Sequence, residues 1–106
     1  MKHFHNISEI EADRRQQGKR YLEFLRVPAM SAGLYVLKAG DKDTQNPHRE
    51  DEIYYVVRGR ARMQVGDEDQ PVSAGSVIFV EGQKEHRFHD IEEDLEILVL
   101  FAPAES

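Results

Sequence analysis

From Tyr21 onward the chain alternates short apolar runs with turn residues. "YLEFLRV" is followed by "PAMSAG", "LYVLKAG" by the polar loop "DKDTQNP", and "EIYYVVRG" turns at Gly59 into "RARMQVGDE". "SVIFVEG", "EHRFHDI" and "LEILVLFAP" complete the series. The runs are about five to eight residues long, with a turn signal roughly every ten. That rhythm predicts seven or eight strands and an all-β sandwich or barrel. Ahead of it, Ile7 to Arg20 is polar and weakly patterned. The chain therefore divides into an N-terminal extension over residues 1–20 and a β domain over residues 21–106. Within the extension, "SEIE" reads as a capping box with Ser8 as cap and Glu11 reaching back. Gly18 would end this short helix.

The same alternation makes a chemical statement in "QNPHREDEIYYVVRG". Successive side chains of a strand point to opposite faces, so His48, Glu52, Tyr54 and Val56 share a face if the strand is regular. Burying a carboxylate or an imidazole without partners costs several kcal/mol. A divalent metal gives both a shared reason to be there, because it neutralises the carboxylate and bonds the neutral ring. Glu50 has the same parity, but it lies where loop meets strand and reads as a rim acid. "EGQKEHRFHD" repeats the theme, with His86 and Phe88 on one face and Arg87 and His89 on the other. Two histidines and one carboxylate make a ligand set that leaves coordination positions open. Taken singly, each of the three reads equally well as a strand-end residue satisfied by water.

Other residues carry less. Tyr54 follows Glu52 on the same face, so its hydroxyl can orient a ligand or a substrate. Tyr35, Tyr55, Met63, Phe79, Phe88 and Phe101 read as barrel core or pocket lining. His89 is expected in solvent, and His3 and His5 belong to a tail that is not expected to form a site.

Composition narrows the classes. A chain of 106 residues supports one core. Its 14 Lys and Arg against 20 Asp and Glu give a net charge of −6, which argues against a nucleic-acid surface. The absence of cysteine excludes disulfides, thiolate metal sites and cysteine nucleophiles. No apolar run approaches the ~20 residues of a membrane span, and "MKHFHNISEIE" lacks the apolar stretch of a signal peptide. A soluble cytoplasmic protein with no membrane partner is the expectation.

At this point the residues resemble the cupins. The first motif of that family runs glycine, five residues, histidine, one, histidine, three, glutamate, six, glycine. Gly40, Asn46, His48, Glu52 and Gly59 stand at those places. The second runs glycine, five, proline, one, glycine, two, histidine, three, asparagine, and is matched by Gly75, Glu81, Gln83, His86 and Asp90. The resemblance covers roughly Leu34 to Phe101. It implies a small antiparallel β-barrel of jelly-roll type with one divalent transition metal (Fe, Mn, Ni or Zn) on His48, Glu52 and His86. Asn46 replaces the first histidine of the usual four ligands, so the fourth position is a weak ligand or a water. Glu81, Gln83 and Asp90 depart at turn positions. The family includes dioxygenases, isomerases and lyases, with Glu52 both ligand and proton acceptor and Tyr54 beside it. It equally admits non-catalytic binding modules for small ligands, or a vestigial site. Small cupins commonly pair as homodimers through N-terminal strands, a role that "RYLEFLRV", apolar on both faces, would suit.

Overall fold

The computed structural model describes all 106 residues as one helix, α1 (Ile7–Gln17), followed by six strands. The helix lies where the sequence places it, but the cap differs. Asn6 is the N-cap, extended at φ −127° and ψ 132°, and its side-chain oxygen accepts from the Ser8 N–H. That leaves Glu11 free of any capping duty, and it pairs instead with Arg14 at 2.8 Å and Arg15 at 2.9 Å. Gly18 ends the helix in the left-handed conformation, its N–H returning to Arg14 and Arg15 carbonyls.

The strands are β1 (Tyr21–Val27), β2 (Met30–Leu37), β3 (Asp51–Val65), β4 (Glu68–Ser73), β5 (Val77–Val80) and β6 (His86–Ala102), all paired antiparallel. Six strands appear rather than seven or eight because "EIYYVVRG" and "RARMQV" are one 15-residue strand, while "EHRFHDI" and "LEILVLFA" are one of 17. These two pair along their whole lengths, from Asp51 opposite Ala102 to Val65 opposite His86. β2 and β5 extend one half of this ribbon and β4 the other. Both halves contribute to a single core, with Tyr54 and Val56 beside Ala61 and Met63, and Phe88 beside Ile97 and Val99. The ribbon therefore folds over on itself, as a small jelly-roll barrel requires.

Gly59 is thus a bend inside a strand, not a turn. Inward residues of β3 are even-numbered through Val56 and odd-numbered from Ala61; those of β6 change from Phe88 to Ile91. Each change of parity contains a left-handed residue, Gly59 at φ 101° and Asp90 at φ 48°. The pairing register shifts three times between Val56 and Arg62. An inserted residue of this kind bends a strand and returns the apolar set to the inner face. Aspartate tolerates the conformation better than most residues. Gly59 has no substitute, because an added Cβ would run into the Asp94 carbonyl.

Outside the barrel, α1 packs on β1 and β2. Ile10, Ala32 and Leu34 are buried there, apart from the main core. Part of the outer face of β1, apolar by sequence, is thus covered by the chain's own helix. Further along the same sheet, Ile53, Tyr55, Val77 and Phe79 stay exposed. Tyr55 therefore belongs to neither core nor pocket and Phe79 lines only an open cavity at the surface with Val77 and Ile78, whereas Tyr35, Met63, Phe88 and Phe101 belong to the core.

Two glycines test this account of the bend. Gly59→Ala should cost about 2–5 kcal/mol, from a strained φ together with backbone overlap. Gly40→Ala, left-handed at φ 81° but with nothing within 4 Å, should cost only about 1–2 kcal/mol. Urea unfolding measures both. Equal losses would show that the close approach at Asp94 is not limiting.

Candidate metal centre

His86 is the first residue of β6, and Glu52, the second of β3, pairs with Val80 on one side and Phe101 on the other. His48 is not on a strand. It lies in the segment 38–50, so regular pleating does not account for its position. Loop contacts bring it in. The Gln83 N–H donates to the His48 carbonyl at 2.6 Å, and the Gly82 N–H to the Asp51 carboxylate at 2.8 Å. Gln83 adopts φ 67° to do so, at a position where the motif has glycine. Gly82 leaves no room for a side chain, since a Cβ there would meet the Arg49 carbonyl. The two ligand-bearing segments are tied to each other directly.

One ligand atom each from His48, Glu52 and His86 lies within 4.8 Å of the others. Glu52 and His86 are buried, their side chains only 1 % exposed, and His86 Nε2 is 2.9 Å from Glu52 Oε1. The close approach is not an aligned hydrogen bond, so both Glu52 oxygens and His86 Nε2 remain buried without a partner. Native proteins pair nearly all such atoms. The other ring nitrogen of His86 is 2.8 Å from the Lys84 carbonyl, which fixes Nδ1 as a donor. Nε2 is then the lone-pair nitrogen of the neutral ring, aimed at the carboxylate. Two imidazoles and a carboxylate converging in this way fit a divalent first-row metal.

The surrounding residues differ in part from expectation. Asn46 is exposed on its loop, facing a shallow polar depression that also touches His86. The amide that reaches inward belongs to its neighbour. Gln45 Oε1 accepts from the Tyr54 hydroxyl at 3.0 Å and lies 3.3 Å from His48 Nε2. Tyr54 is fully buried, with its ring against Phe88 and His86. Burial, helped by the charge of Glu52, raises its pKa far above the usual phenol value, so it remains a hydrogen-bond donor. Glu50 is buried rather than at a rim, is not one of the three converging ligands, and accepts from the Ser106 N–H. His89 pairs with Asp69 at 2.8 Å on the outer side, and His3 and His5 are exposed.

Besides Gln45, two residues escaped the sequence reading. Asp43 accepts from the Tyr35 hydroxyl, the Gln45 amide and the Phe88 N–H, each at 2.9 Å, and so pins the segment 38–50 to the strand carrying His86. Glu105 places a carboxylate oxygen 3.4 Å from His48 Nδ1. In sequence, the first sits in an unremarkable polar loop and the second 57 residues from His48.

Burial works against a charged His86, yet the Glu52 carboxylate and the Lys84 carbonyl more than offset it. Its pKa lies above the ordinary imidazole value. A raised folded pKa stabilises the metal-free protein fully below about pH 6.5, and that stabilisation fades as pH rises through the folded value. A metal requires the neutral ring, so metal binding should run the other way and weaken on acidification, beginning above about pH 6.5. Metal-free protein should therefore melt at a higher temperature at pH 6 than at pH 8, and Glu52→Gln should lose that difference. Calorimetry of both proteins checks it, and identical pH profiles would contradict the pairing.

Comparison with known proteins agrees with this architecture. The family model described as a cupin domain matches residues 33–101. An uncharacterized protein of Streptomyces coelicolor is 50 % identical over 100 residues, covering 94 % of this chain and 95 % of that one. A cupin 2 conserved barrel domain protein from Rhodopseudomonas palustris superposes with a TM-score of 0.72 at 19 % identity. It covers 81 % of this chain, which spans only 61 % of that protein. KdgF from Halomonas sp. gives 0.71 at 24 % identity, covering 78 % of this chain and 76 % of its own. The DMSP lyase DddQ from Ruegeria pomeroyi gives 0.70 at 18 %, over 82 % of this chain and 49 % of the lyase. At these identities the structural matches speak for the fold alone.

Proposed function

The chain belongs to the cupin domain family, and we propose that it is a metal-dependent enzyme of oxygenase, isomerase or lyase type acting on a small organic molecule. His48, Glu52 and His86 would hold one divalent transition metal, Fe, Mn, Ni or Zn. The observation that carries this reading is the trio of buried, unpartnered atoms, Glu52 Oε1 and Oε2 and His86 Nε2, with His48 beside them. That one protein of similar fold is a DMSP lyase supports the lyase member of this group.

When bound, the metal supplies Lewis-acid polarisation of a substrate oxygen. The chain's own residues do the rest. A cavity of about 190 Å³ beside His48 is lined by Tyr21, Tyr35, Gln45, Val99, Phe101 and Glu105. Drug-sized ligands need roughly 300 Å³ or more, so this space suits a smaller molecule. Tyr21 contributes a buried hydroxyl without a partner, free to bind a substrate oxygen. Tyr35 is committed to Asp43 and Tyr54 to Gln45, which makes them supports that hold the lining in place. Glu52 would serve both as a ligand and as a proton acceptor.

Protein purified without a His-tag, loaded with Fe(II) and offered a panel of small hydroxy and oxo compounds in air, should consume oxygen or release product. Glu52→Ala should lose both the metal and the turnover. Wild-type protein that keeps its metal and binds members of the panel, yet converts none, would support a non-catalytic binding module instead.

The chain is further proposed to act in the cytoplasm as a homodimer. α1 covers only part of the sheet, the outer edge of β1 has no partner strand, and the exposed side chains of Ile53, Tyr55, Val77 and Phe79 lie together on β3 and β5. Large contiguous apolar patches mark interaction surfaces, and a second copy would bury these four side chains. Light scattering at tens of micromolar should give a dimer that Phe79→Asp weakens; a wild-type monomer would refute it.

A further inference from the structure

Glu105 stands on the short segment that follows β6, and that segment is anchored at every step. The Ala104 N–H donates to the Pro28 carbonyl at 3.3 Å, and the Glu105 N–H to the fully buried hydroxyl of Ser31 at 3.0 Å. Arg26 donates to the Glu105 carbonyl, and the Ser106 N–H to Glu50 at 3.2 Å. β1, the β1–β2 turn, β2 and the segment before β3 therefore all hold one residue in place. Its carboxylate turns inward to His48 Nδ1 at 3.4 Å, in the cavity lined by Tyr21 and Phe101.

His48 presents its two nitrogens to different neighbours. Nε2 lies 3.3 Å from Gln45 Oε1, which accepts from the Tyr54 hydroxyl, and the Tyr54 ring packs against His86. Nδ1 faces Glu105. A neutral imidazole carries one proton, and whichever nitrogen binds a metal must lack it. In His86 the Lys84 carbonyl keeps that proton on Nδ1. No backbone group does the same for His48, and Gln45 Oε1, itself an acceptor, competes with Glu105 for the single ring proton.

We propose that Glu105 is the positioning residue for His48, its carboxylate holding the ring proton on Nδ1 so that the Nε2 lone pair faces the metal group. Carboxylate partners of this kind fix a ligand's tautomer and orientation and raise its basicity. The inference rests on the metal-binding reading above and adds to it: the complete site includes a residue outside both cupin motifs, delivered by an anchored segment after the last strand. It also explains why a carboxylate occupies a cavity otherwise lined largely by aromatic and apolar side chains.

The test uses Zn²⁺ as the probe, with Glu105→Ala, Glu105→Gln and wild-type protein side by side. Chelator competition gives affinity, and long-range ¹H–¹⁵N spectra of the zinc forms report which His48 nitrogen is protonated. Glu105→Ala should bind zinc about 10–100-fold more weakly. Glu105→Gln keeps an acceptor oxygen and should stay within a few-fold of wild type, with His48 protonated on Nδ1. A role limited to anchoring the segment would lower the melting temperature of the metal-free protein and leave the His48 tautomer unchanged. Glu105→Ala that binds zinc as tightly as wild type, with unchanged His48 signals, overturns the inference and leaves the metal reading intact. Wild-type protein that binds neither zinc nor, in the same competition, Fe(II), Mn²⁺ or Ni²⁺ overturns both.

Discussion

A carboxylate and an imidazole nitrogen buried 2.9 Å apart, without an aligned hydrogen bond between them, is the constraint on which the rest depends. Removing such groups from water is costly unless something satisfies them. Without metal, a proton on His86 does so in part, which is why its pKa rises. A divalent ion held by Glu52, His86 and His48 would do so more completely. The barrel is organised to keep these atoms converged: β3 delivers Glu52, β6 delivers His86, and the bonds between Gln83, Gly82 and the segment 48–51 deliver His48.

That delivery depends on how two long strands bend. Without the parity changes at Gly59 and Asp90, one half of each strand would point its apolar residues outward, and the ribbon could not close around a single core. Both left-handed residues fall at motif positions, Gly59 as the motif's glycine and Asp90 where it has asparagine. Gln83 takes a similar conformation at a motif glycine and carries the N–H that ties the two ligand-bearing segments together. The motif thus specifies backbone conformation as much as it specifies ligands.

Much of this was legible in the sequence. The period-two pattern gave the β class and set Glu52 and Tyr54 against the core, and His86 and Phe88 likewise. Strand counting failed because a glycine inside a bent strand looks like a glycine in a turn. Pleating did not explain His48, which loop contacts position from outside any strand. The helix cap moved two residues, from Ser8 to Asn6, whose side chain accepts from the Ser8 N–H. Asp43, Gln45 and Glu105 were invisible for a different reason. Each acts through a hydrogen bond or charge contact whose geometry is set by the folded loops, and spacing along the chain carries no trace of it.

The most direct test of the central claim is the metal stoichiometry of untagged protein, determined by elemental analysis after expression and again after reconstitution with Fe, Mn, Ni and Zn salts. The account predicts one divalent transition-metal ion per chain, retained through gel filtration at neutral pH. Folded protein that retains none of the four metals would contradict it. The unpartnered atoms of Glu52 and His86 would then have only each other and a proton.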